Sequence, residues 1–166
     1  MGAFFYAGNR VSPTSNDTEA IIVDRAHRDS PKLIEWVYWM AMDVLLSLQW
    51  SIEYRYVYWD KKENAIIGRK RRMARVLSKR YARCHAGIKP DEDKIFISPD
   101  AEDKPLCLFH ECMEILFSDW KDEYYVPKRW GFKKGDDPIL NLEGVTWDRL
   151  TKAQKSAIKA FLPQEP

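Results

Sequence analysis

Apolar and polar positions along the chain fall into two kinds of period. From Ser30-Pro31 onward, Leu33, Ile34, Val37, Met40, Ala41, Val44, Leu45 and Leu48 recur every three or four residues, the spacing of an amphipathic helix. Ser30 stands as its N-cap and Pro31 as its first residue, where a missing N–H costs nothing. The period then changes to two. Trp50, Ile52, Tyr54, Tyr56 and Tyr58 alternate with Ser51, Glu53, Arg55, Val57 and Trp59, which predicts a strand with one buried face. Asp60 to Asn64 reads as a turn. Ala82, Cys84, Ala86 and Ile88 alternate again, Lys89 to Asp93 forms the next turn, and a short apolar strand follows over Lys94 to Ser98. Helical spacing returns in the strongly apolar run Cys107 to Phe117. It returns again near the end, where Thr151 and Gln154 have capping-box spacing and Ile158, Phe161 and Leu162 give an apolar edge before Pro163. These elements predict an α+β fold: a small three- to four-stranded sheet on a long N-terminal helix and the Cys107–Phe117 helix. A single domain over 29–166 is expected, preceded by a partly ordered arm over 1–28 that is rich in turn formers.

The Cys107–Phe117 run carries the chemistry. At about 100° per residue, Cys107, His110, Glu111, Glu114 and Ser118 share one arc, and apolar residues fill the rest. No Lys or Arg occurs between Pro105 and Trp120. A stripe selected for solubility alone would normally include long cationic or small polar groups, and carboxylates buried without a cation are costly. The stripe therefore borders a water-filled cleft or faces a bound cation. His110 and Glu114, four residues apart, can address one ion from adjacent turns, with Glu111 set to one side to act on a bound water.

The order His110-Glu111-x-x-Glu114 differs by one residue from the His-Glu-x-x-His helix of zincin metallopeptidases. Together with the order of elements from Leu46 to Phe117, it resembles the small zincin-like metallopeptidases of phages and mobile elements. The resemblance implies a zinc cofactor with His110 as first ligand, Glu111 as general base, and hydrolysis of a peptide or protein substrate by metal-activated water. It also implies a peptide-binding edge strand ahead of the metal helix, which would be Lys94 to Ser98. Glu114 stands where the family has His. A carboxylate is a legitimate zinc ligand, so the substitution describes either a working variant or a site that kept the fold and lost hydrolysis. Glu123 is the favoured third ligand, beside Tyr124 and Tyr125 as possible oxyanion donors; Asp119, Asp122, Asp136, Asp137 and Cys107 are alternatives.

Charge adds a second feature. Between Arg69 and Arg83, eight of fifteen residues are basic and none is acidic, so a chain of net charge +2 carries about −6 outside this segment. Met73, Val76, Leu77 and Tyr81 could form the apolar face of a helix here. Arg69, Arg72, Arg75, Lys79 and Arg83 would then track nucleic-acid phosphates or an acidic partner. The competing reading is a solvated face offsetting an acidic remainder. No helix-turn-helix, zinc-finger or RNA-recognition signature accompanies it.

Composition narrows the class. At 166 residues and 45% hydrophobic, with seven Trp, eight Tyr and seven Phe, the chain can bury a sizeable aromatic core. No apolar run is long enough to cross a membrane. Ala3 to Ala7 lacks the length and basic flank of a signal peptide core. Cys84, Cys107 and Cys112 form no Cys-x-x-Cys pair, which fits reduced thiols. A cytoplasmic protein is expected, with Cys84 and Cys112 as small core residues.

Overall fold

The computed structural model describes residues 31–47, 49–75, 79–117 and, apart from residue 145, 143–165. The N-terminal arm, the tract 118–142 and residues 76–78 lie outside them. Among the described residues, three α-helices, Pro31–Ser47 (α1), Lys104–Phe117 (α2) and Lys152–Lys159 (α3), occur with six strands. The strands are Ser51–Tyr54 (β1), Tyr56–Asp60 (β2), Ala65–Arg69 (β3), Tyr81–Cys84 (β4), Ala86–Lys89 (β5) and Lys94–Ile97 (β6). The class is α+β, as the two periods predict. The chain divides into two units, Met1–Ser47 with Cys112–Lys155, and Leu48–Glu111 with Ser156–Pro166.

In the first unit, α1 follows the apolar spacing of its sequence. Val37, Tyr38, Ala41, Met42, Val44 and Leu45 are buried, whereas Trp39 and Leu46 are exposed. Thr146, Trp147 and Leu150 are also buried, and the Lys155 ammonium lies 5.1 Å from the Trp147 ring centroid.

The second unit holds the strands, and here the expected single sheet gives way to two three-stranded sheets, ordered β1-β6-β5 and β3-β2-β4. The alternating run that begins at Ser51 is not one strand. Its first half pairs in parallel with β6, and the Arg55 N–H makes a last bond to the Ile97 carbonyl at 3.0 Å. Its second half then pairs antiparallel with β3 and β4. The run over Tyr81 to Lys89 divides in the same way at His85, with β4 in one sheet and β5 in the other. The Ser98 N–H donates to the His85 carbonyl at 2.8 Å, so β6 ends in the fork where both runs change partner.

Strand β6 is therefore central, between β1 and β5, and not the edge expected of Lys94 to Ser98. Its burial explains why: Ile95, Phe96, Ile97 and Ser98 are all buried, as a strand covered on both faces requires. The two sheets meet closely. Gly68 of β3 lies under the Phe96 ring, and Gly87 of β5 lies under Ile66.

The turn after β2 is built by Asp60, whose carboxylate accepts the N–H groups of Lys62 at 3.0 Å and Glu63 at 3.3 Å. Asn64 closes it with φ of 52°, a left-handed conformation that Asn tolerates better than most residues. The chain then returns as β3, a strand not foreseen because its five residues sit between a turn and a block of charge. The basic segment is not a helix in its described part: Arg69 ends β3, residues 70–75 are irregular, and Tyr81 to Arg83 belong to β4. The supposed helical anchors Val76 and Leu77 lie outside the described residues.

Candidate metal helix and basic face

Helix α2 starts where Asp103 accepts the Leu106 N–H at 3.1 Å through its carboxylate, an N-cap that satisfies one donor of the first turn. Leu108, Phe109, Cys112, Met113, Ile115 and Leu116 are buried. Apolar atoms thus cover most of the helix circumference, which leaves the polar stripe little open water. Cys107, His110 and Glu114 are half-buried, and Glu111 is only 6% exposed. His110 and Glu114 are one turn apart on a formed helix, as their spacing requires.

Glu111 also acts on its surroundings. Burial pushes the Cys84 thiol above its ordinary pKa, and the nearby Glu111 carboxylate raises it further. Cys84 is thereby held as a thiol, which is neither a nucleophile nor a good metal ligand, in keeping with a packing role. Cys112 is fully buried, as expected of a core thiol.

Of the proposed zinc ligands, His110 and Glu114 offer an imidazole and a carboxylate, a donor pair suited to zinc. Glu123 and its alternatives Asp119, Asp122, Asp136 and Asp137, with Tyr124 and Tyr125, lie outside the described residues. Among the described residues no group of three His, Cys, Asp or Glu side chains is placed to hold a metal ion. A cleft of about 430 Å³ opens near the start of α2, between Tyr54, Lys104, Lys159 and Pro163. It does not include His110, Glu111 or Glu114.

The basic segment is organised by the β3-β2-β4 sheet. Strand register places Tyr56 opposite Arg69 and Tyr58 opposite both Ile67 and Arg83, so these side chains share one face. The opposite face carries Val57 and Trp59 with Gly68, Ile66 and Cys84. Residues 70–75 fold over the first face: the Met73 N–H donates to the Tyr58 hydroxyl at 2.9 Å, and Tyr58 is fully buried. The guanidinium carbons of Arg72 and Arg83 then lie 5.7 and 5.9 Å from the Tyr56 ring centroid.

Asp100 ties these groups together. Its carboxylate accepts bonds from Arg83, from Arg72 at 2.6 Å and from the Ser98 hydroxyl at 2.5 Å. Arg83 first, then Ser98, holds its carboxyl far below the usual carboxylate range, with Arg72 contributing. A second carboxylate, Asp60, receives Arg80 in two bonds of 3.1 and 3.0 Å. Arg69, Lys70, Arg71, Arg75 and Lys79 are exposed. Among the described residues, none of these five is in an ion pair.

The sequence singles out Arg72 and Arg83 but not Tyr56 or Asp100, which set their positions. Asp100 lies 17 residues beyond Arg83, and nothing in local spacing links the two. Set against known proteins, the chain matches no family model, no curated protein and no solved structure.

Proposed function

We propose that this protein is a zincin-like, zinc-dependent hydrolase of peptide bonds, with a His-Glu-x-x-Glu helix as its catalytic element. The observation that supports this reading is the state of α2: a helix buried on most of its surface, with a half-buried His110 and Glu114 one turn apart and a carboxylate, Glu111, in the protein interior. An imidazole and a carboxylate one turn apart are a donor pair suited to zinc, and a neighbouring carboxylate supplies the base that hydrolysis by metal-activated water needs.

In this reading His110 and Glu114 hold the metal, together with a donor from the tract after α2, of which Glu123 is the candidate. Zinc held there would supply Lewis acidity for polarising the scissile carbonyl and acidifying water. Glu111 accepts the proton of the attacking water and returns it to the departing nitrogen. The substrate strand would pair with a free sheet edge, and β1 and β5, not β6, are the edge strands of the sheet that precedes α2.

Elemental analysis of protein purified without chelators or metal-affinity resin tests the proposal. About one zinc per chain is expected in the parent and none in His110→Ala/Glu114→Ala. Glu111→Gln should keep the metal and lose cleavage of any peptide that the parent cleaves. A parent that takes up no metal after zinc is added back would overturn the assignment.

A further inference from the structure

The outer face of the β3-β2-β4 sheet does something that a merely solvated charge run does not: it fixes part of its charge in place. Arg72 and Arg83 approach one carboxylate and one aromatic ring, although they come from different stretches of chain. Asp100 neutralises only one of the two cations. It is itself held by Ser98, which is buried at the fork between the sheets. The pair is thereby tied to the backbone of that fork, where the Ser98 N–H also bonds the His85 carbonyl. Around it stand Arg69, Lys70, Arg71, Arg75 and Lys79, exposed and outside any ion pair among the described residues.

We infer that this face binds the phosphodiester backbone of a nucleic acid. The cations are mostly arginines, whose planar forks match phosphate oxygens in a bidentate way that ammonium groups do not. A membrane surface is disfavoured by what the face lacks. Among the described residues of this face no large apolar side chain is exposed, which leaves the described part without a group to insert among lipids. Recognition rests on charge and backbone contact, because the face is lined by cations, two of which already lie beside the half-buried Tyr56 ring. Binding should be weakly dependent on sequence. The inference is independent of the metal site on α2.

The test is fluorescence anisotropy with the full chain and labelled 20-nucleotide single-stranded and duplex DNA and RNA of mixed sequence, titrated between 50 and 200 mM salt. Polyglutamate serves as competitor. Five exposed cations engaging phosphates give a slope of log K against log salt of about −4 to −5 on duplex DNA, or a loss of about 500-fold across that range. Arg71→Glu/Arg75→Glu, on side chains exposed in irregular backbone, should weaken binding by at least about tenfold and make the slope shallower by about two. Its thermal unfolding should match the parent's. Three results would overturn the inference: no binding at 50 mM salt, binding that the charge reversal leaves unchanged, or polyglutamate competing as well as an equal charge of nucleic acid. The last would assign the face to an acidic protein instead.

Discussion

A β-carbon on Gly68 would lie 2.9 Å from the Phe96 ring, and one on Gly87 would lie 2.9 Å from the Ile66 side chain. Neither glycine has a left-handed backbone, so the constraint is space alone. Replacing glycine within a strand normally gains about 0.5–1 kcal/mol by restricting the unfolded chain. Overpacking a close interface costs about 1–3 kcal/mol, and at Gly87 the obstructing group is a stiff β-branched side chain. The collision should win. Gly87→Val is expected to lower stability by about 1–3 kcal/mol in urea unfolding, and a variant as stable as the parent would show that the sheets separate easily. Sequence reading had no access to this constraint. A glycine in an alternating run marks a close approach only once the partner across the interface is known, and Phe96 and Ile66 come from other strands.

At the scale of elements, the helices were the legible part. The Thr151–Gln154 box forms as spaced: the Gln154 side chain accepts the Thr151 N–H at 2.9 Å, and the Thr151 hydroxyl accepts the Gln154 N–H at 3.1 Å. Asp103 caps α2 in the same sense without having been singled out. Asp103→Ala should cost about 1 kcal/mol in chemical unfolding, and an unchanged midpoint would mean that burial alone sets where α2 starts. Strands were less legible for a physical reason. The alternation of side chains over Ser51 to Asp60 is unbroken at Arg55, because a period of two records only which face is buried. Which backbone takes up each strand's hydrogen bonds leaves no mark in that pattern, so a run that changes sheets midway reads as one strand. The same blindness made β6 look like an edge. The basic segment failed differently: helical spacing of Met73, Val76, Leu77 and Tyr81 suggested a helix, but Met73 and Tyr81 are placed by bonds to the sheet, and tertiary pairing overrode a weak local preference.

Charge pairing sets a prediction for the whole molecule. Arg80 above all holds the Asp60 carboxyl below its ordinary pKa, helped by the turn N–H groups, and Arg83 and Ser98 do the same for Asp100. A carboxylate with a lower pKa folded than unfolded adds stability above its unfolded value, near 3.9. That stability is lost as pH falls towards the folded value. Unfolding free energy should therefore decline below about pH 4, and Asp60→Asn/Asp100→Asn should flatten the decline while lowering stability at neutral pH. An unaltered pH slope would mean that other groups govern acid unfolding. No helix among the described residues is long and apolar enough to cross a membrane, in agreement with the absence of such a run in the sequence.

By itself the sequence determined the helical segments, the α+β class, the polar stripe on α2 and the local excess of positive charge. All of these are contained in side-chain order over short continuous stretches, where helix geometry or simple counting is enough. Only tertiary structure decided that the strands form two sheets, that β6 is central, that Glu111 is buried beside Cys84, and that Asp100 draws Arg72 and Arg83 onto Tyr56. Each of these depends on backbone or side-chain partners from distant positions. Hydrogen bonding and close packing select those partners, and local periodicity does not encode them.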